Sequence, residues 1–195
     1  ACNVSYSTSD QPTDSPPEPS TPSVQEPTDP STLFLDDFSK PSEGWGKTWG
    51  SADGNSMGVS DSGFHILVNT TQYILWGGTG NKFDGDVVIE VDAVKRGGGP
   101  DGYLGVICRD EIINGAEHFY FLIFDGNGAA SINKFSENSG LTLAFAQDDA
   151  IADVNNGGTV RIRAECIGST FSLYVNDQQL VTATDDSFIV GDAGL

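Results

Sequence analysis

The stretch TVRIRAECIGSTFSLYVNDQQLVTAT, residues 159–184, decides the fold. In 159–166, Val160, Ile162, Ala164 and Cys166 fall on one side of an extended chain, while Arg161, Arg163 and Glu165 fall on the other. In 170–176, Phe171, Leu173 and Val175 oppose Ser172, Tyr174 and Asn176. A period of two is the signature of a strand with one face in a core. Asn176-Asp177 separates this run from a third at 179–184, and that pair suits the positive-φ positions of a tight hairpin.

Working outward, the same grammar recurs. Strands are expected at 33–38, 64–69, 71–76, 86–94, 103–109, 118–124, 129–135 and 141–146, with Gly, Asn and Asp between them. No segment keeps a helical period over ten residues. Regular short strands and turn residues predict an all-β sandwich or barrel over residues 32–195. In 103–109, Val106 and Cys108 share a face, so Cys108 and Cys166 both belong to core-facing sets.

The chain has 195 residues, 28 acidic and 9 basic, for a net charge of −19. That charge argues against nucleic acid and against an anionic lipid surface. No run of about 20 apolar residues is present to form a spanning helix. The cysteines, Cys2, Cys108 and Cys166, make no zinc-type cluster.

Residues 1–31 differ from the rest. Seven of nine prolines lie between Pro12 and Pro30, among Ser, Thr, Asp and Glu. Such a segment cannot bury enough apolar surface to offset its ordering entropy and is expected to be an extended stalk. Cys2 followed by a polar tether resembles a bacterial lipoprotein, whose cysteine carries diacylglycerol. The resemblance implies a lipid anchor on Cys2 and an extracytoplasmic, membrane-anchored place in the cell envelope. In that compartment a buried Cys108–Cys166 pair is expected to be a disulfide, the alternative being two separate buried thiols.

Several pieces in order carry a wider resemblance. They are Leu35-Asp36-Asp37-Phe38 with Gly44-Trp45, Tyr103-Leu104-Gly105-Val106-Ile107-Cys108-Arg109 and His118-Phe119-Tyr120-Phe121. Ile132-Asn133-Lys134, Arg161-Ile162-Arg163-Ala164-Glu165-Cys166 and Leu173-Tyr174-Val175-Asn176 follow. Together they resemble the concanavalin A-like lectin/glucanase superfamily, in its laminin-G-like and "domain of unknown function 1080" branch. The resemblance implies two stacked antiparallel sheets in a jelly roll. Such domains usually add a strand after the Gly191-Asp192-Ala193-Gly194-Leu195 element. Either this sequence stops short of that strand, or the sandwich lacks it and leaves an open edge at Leu33, Phe34, Leu35 and Phe38, a site for strand addition by a partner.

Glu90-Val91-Asp92-Ala93-Val94-Lys95 resembles the Glu-x-Asp-x-x-Glu signature of laminarinase-type hydrolases. A retaining hydrolase needs two carboxylates roughly 5 Å apart, and Lys95 stands where the acid/base belongs. An ammonium with a pKa of about 10.4 is a poor donor at pH 7. The expected role is therefore non-catalytic: an accessory or assembly subunit docked on a membrane or envelope protein complex. A glycan-binding module is the alternative, and a glycoside hydrolase comes third. For glycans, the aromatic rings of Trp45, Trp49, Trp76, Tyr103 and Tyr120 are candidates, with Glu90, Asp92, Arg109 and Asn176 as polar partners. No cofactor is expected. Asp84, Asp86 and Asp125, in acidic turns, are weak candidates for a structural calcium. Gly97-Gly98-Gly99-Pro100 has no helix after it and reads as a loop.

Overall fold

The computed structural model describes residues 32–40, 45, 48–148, 154–155 and 157–195. The chain divides into Ala1–Asp36 and Asp37–Leu195. The described residues of the first unit, 32–36, form no helix or strand, and Leu33 and Leu35 are exposed. Cys2 and the 1–31 segment lie outside the described residues.

The second unit contains β1 (Trp49–Gly50), β2 (Ser56–Ser60), β3 (Gly63–Leu67), β4 (Val87–Val94), β5 (Leu104–Ile113) and β6 (Ala116–Phe124). It continues with β7 (Ala129–Ser136), β8 (Ser139–Gln147), β9 (Thr159–Ile167), β10 (Thr170–Val175), β11 (Gln178–Thr184) and β12 (Asp192–Gly194). The expected hairpin is present: Asn176 and Asp177 take φ of 50° and 66° between β10 and β11. One sheet runs β11-β10-β9-β4 and the other β12-β5-β6-β7-β8, all pairs antiparallel. A three-stranded ribbon, β1-β2-β3, stands apart from both ladders.

The core lies between the two larger sheets. Val160, Ile162, Ala164, Phe171, Leu173 and Val175 from the four-stranded sheet meet Val106, Tyr120, Leu122, Phe124, Ala130 and Ile132 from the five-stranded one. Cys108 of β5 and Cys166 of β9 are bonded through this layer, each fully buried. The disulfide therefore ties the two sheets together.

Two sequence expectations change. Residues 33–38 are not a strand. The Asp37 carboxylate accepts the Ser39 N–H and Phe38 takes φ of 55°, so the chain turns where a ladder would have to continue. Leu33, Phe34, Leu35 and Phe38 thus present no strand edge. Residues 71–76 are not a strand either. Just before them the Asn55 side chain accepts the N–H groups of Asn69 and Thr70 at 2.7 and 3.2 Å, and Gln72 takes φ of 60°, so the chain turns there too.

Residues 192–194 form a strand held on both sides. One side pairs with β5 and the other with residues 77–83, through Gly77, Thr79 and Phe83. Any side chain at Gly194 would collide with the Gly77 carbonyl, which explains the glycine there.

Candidate functional site

The structure scatters the residues singled out from the sequence. Tyr120 is fully buried in the core. Its hydroxyl donates to Asp185 and accepts the Phe188 N–H, and burial pushes its pKa up to about 12. Arg109 is 2 % exposed. A bulge in β5 and a φ of 58° turn it inward, where it lies over the Phe171 ring and donates to the carbonyls of Phe188, Cys166 and Gly168. It fastens the end of β9, the β9–β10 turn and the loop before β12, almost wholly out of solvent. Trp45 is buried against Phe38 and Phe64. Tyr103 is exposed just before β5. Trp49 begins β1, and Asn176 sits in the hairpin turn, where its side chain accepts the Arg161 N–H.

Glu90 and Asp92 do project together from β4, on the outer face of the four-stranded sheet. Both are held by Arg161, at 3.0 and 3.2 Å. Arg163 lies 3.6 Å over the Tyr174 ring and pairs with Glu165. This face is a lattice of compensated charges. Lys95, at the position of the hydrolase acid/base, donates to the carbonyls of Gly99 and Gly102.

The acidic turns do not converge. Asp125 is buried and caps the β6–β7 turn through the N–H groups of Asn127 and Ala129. Asp86 accepts the Gly168 N–H, and Asp84 is exposed beside it in sequence. Among the described residues no three His, Cys, Asp or Glu are grouped to hold a metal.

What the fold assembles instead is the outer face of the five-stranded sheet. Cross-strand register sets out three rows there: Phe119 opposite Phe135; Phe121, Asn133 and Thr142; and Ile123, Ser131 and Phe145. Phe119 is sandwiched between Trp76 at 4.8 Å and Phe135 at 4.9 Å. The Trp76 Nε1–H donates to Asp110, whose pKa burial pushes up to about 6, with Glu117 and Asp192 adding to the rise. Beyond this aromatic group lies a polar strip. Asn133 Nδ2 donates to Ser131 at 2.9 Å, and Thr142 donates to Asn133 Oδ1 at 2.8 Å. Phe145 closes the strip and is 63 % exposed.

Of the candidate glycan-binding residues named from the sequence, only Trp76 belongs to this face. Phe119, Phe121 and Asn133 enter only as pieces of the wider resemblance, and Phe145, Ser131 and Thr142 are not among the candidates. A signal for them existed in HFYFLIF, 118–124, which is apolar on both faces and so marks a sheet with work for its second side.

No family model and no curated protein matches the chain. Solved structures do. The carbohydrate-binding module CBM66 from Bacillus subtilis is 21 % identical, with a TM-score of 0.52 over 76 % of this chain and 81 % of that one. Sheep galectin-11 in complex with glycerol is 10 % identical, with a TM-score of 0.43 over 62 % and 89 %. The β-glucanase of Bacillus licheniformis is 11 % identical, with a TM-score of 0.42 over 75 % and 67 %. The likeness to the Bacillus subtilis module is one of fold. The chain is a two-sheet antiparallel jelly-roll sandwich of the concanavalin A-like kind.

Proposed function

We propose that this sandwich is a non-catalytic glycan-binding module acting outside the cytoplasm. The observation that carries the reading is Phe145, a large apolar ring left exposed on a sheet face beside the exposed Thr142 hydroxyl, which is itself oriented by the buried Asn133 amide. Sugars have apolar C–H faces that stack on aromatic rings and hydroxyls that pair with such groups. The Bacillus subtilis module is described as carbohydrate-binding, so the shared fold is one that serves this use there. The Cys108–Cys166 disulfide supports an oxidising compartment.

The hydrolase reading has less support, because Arg161 occupies both carboxylates of the β4 motif and Lys95 is bound to backbone. Docking as an accessory subunit rested on the 1–31 stalk and the Leu33–Phe38 edge. The stalk lies outside the described residues and the edge is not a strand. Calorimetric titration with neutral cell-wall oligosaccharides tests the glycan reading. Phe145→Ala is expected to weaken binding about tenfold, or 1.4 kcal/mol, with the fold intact. No binding of any oligosaccharide at millimolar concentration would remove the proposal.

A further inference from the structure

A second feature lies away from that face. A cleft of about 720 Å³ opens beside the loop that follows β4, lined by Lys95, Arg96, Gly97, Gly98, Pro100 and Asn155 among others. Its volume falls within the 300–1,000 Å³ typical of small-ligand sites. Hydrogen bonds hold the side of it formed by residues 99–102 and Gly126. Lys95 Nζ bridges the carbonyls of Gly99 and Gly102, the Gly126 N–H donates to the Pro100 carbonyl at 2.8 Å, and Asn155 Nδ2 donates to the Gly126 carbonyl at 2.7 Å. Asn155 fills the space a side chain at Gly126 would need.

The charge here is unusual for this protein. Lys95 and Arg96 are two of its nine cations, side by side in a chain of net charge −19. Arg161 and Arg163 are spent on carboxylates, and Arg109 is buried in the core. Arg96 is exposed and, among the described residues, has no carboxylate partner. An unpaired guanidinium at the wall of a cleft is a fork for a planar anion.

We infer that this cleft is a subsite for a saccharide bearing one carboxylate, a uronic acid, with Arg96 pairing the carboxylate and Lys95 holding the loop in shape. The net charge selects the class of anion. A polyanion is repelled by the surface as a whole, and a phosphate monoester carries nearly two charges. A single carboxylate is attracted by the local pair and pays least to the surrounding field at physiological ionic strength, where screening acts over about 8 Å. The ligand's being a saccharide rests on the glycan reading above. The cleft is a different site.

The test is amide chemical-shift titration of the intact protein with methyl β-D-glucuronide, methyl β-D-glucoside and glucose 6-phosphate. The expected result is shifts at Arg96, Gly97 and Gly98 with the glucuronide, and affinity at least tenfold above that for the glucoside. Arg96→Gln removes the difference. Equal binding of glucuronide and glucoside, or an Arg96→Gln variant that still discriminates, overturns the inference. Glucose 6-phosphate binding as tightly as the glucuronide overturns the carboxylate assignment. Shifts confined to β7 and β8 sink the subsite while leaving the glycan reading standing. Shifts at the cleft with Phe145→Ala silent toward neutral sugars do the reverse.

Discussion

The indole Nε1 of Trp76 reaches across the outer face of the five-stranded sheet and donates to the Asp110 carboxylate at 3.3 Å. The carboxylate is largely withdrawn from water and near Glu117 and Asp192, which is why its pKa rises to about 6. A carboxyl whose pKa is higher folded than unfolded contributes stability below the unfolded value. That contribution is lost as pH rises through the folded one. Between about pH 4 and pH 6, Asp110 therefore makes the fold progressively less stable.

Asp110→Asn removes the ionisation and keeps an oxygen for Trp76. The variant is expected to be more stable than the parent at pH 7 by about 1 kcal/mol once solvent screening is allowed for, and equal to it below about pH 4. Thermal melts at both pH values check this. On a domain of this size, 1 kcal/mol moves Tm by roughly 2–4 °C. A variant less stable at pH 7 would show that the charged carboxylate is needed by Trp76.

The disulfide gives a second expectation. Cys108 and Cys166 are 58 residues apart and join opposite sheets inside the core. A bridge of that span contributes roughly 2–4 kcal/mol by restricting the unfolded chain. Cys108→Ala with Cys166→Ala is expected to lose that much in urea titration while retaining its β-sheet circular dichroism. An unchanged midpoint would mean that strain in the folded state cancels the bridge's effect.

The fold was legible because alternation is a local property. Val160 to Cys166 and Phe171 to Val175 announce their core faces without help from the rest of the chain. The two strands wrongly expected, 33–38 and 71–76, have strand-like composition. They were lost to turns, one where Asp37 accepts the Ser39 N–H beside Phe38 at positive φ, the other where Gln72 takes positive φ. The site was less legible. Arg109 and Tyr120 look like polar ligand contacts, and a bulge at Arg109 and a buried acceptor at Asp185 make them internal fasteners. Phe145 and Asn133 come together only through the registry of β7 with β8, which no single run of residues contains.

That internal fastening supplies the last expectation. Asp185 accepts hydrogen bonds from Tyr120, Lys134 and the Ser187 N–H. Burial acts to raise its pKa, but the bond from Lys134, followed by those from Ser187 and Tyr120, holds it well below the usual carboxylate range. A carboxylate depressed on folding contributes stability that is present above its unfolded pKa of about 4 and lost as pH falls below that. Asp185→Asn is expected to cost about 1–2 kcal/mol at pH 7, in line with hydrogen bonds to a charged group. The gap to the parent protein narrows as the pH is lowered below 4, because the unfolded parent then takes up a proton that Asp185 resists in the folded state. Urea midpoints at pH 7, 4 and 2.5 measure it. A gap that stays constant with pH would mean that the Asp185 contacts act through shape alone, with Lys134 contributing no charge attraction. A cycle with Lys134→Met separates the two, since only an electrostatic pair makes the second substitution nearly silent once the first is made.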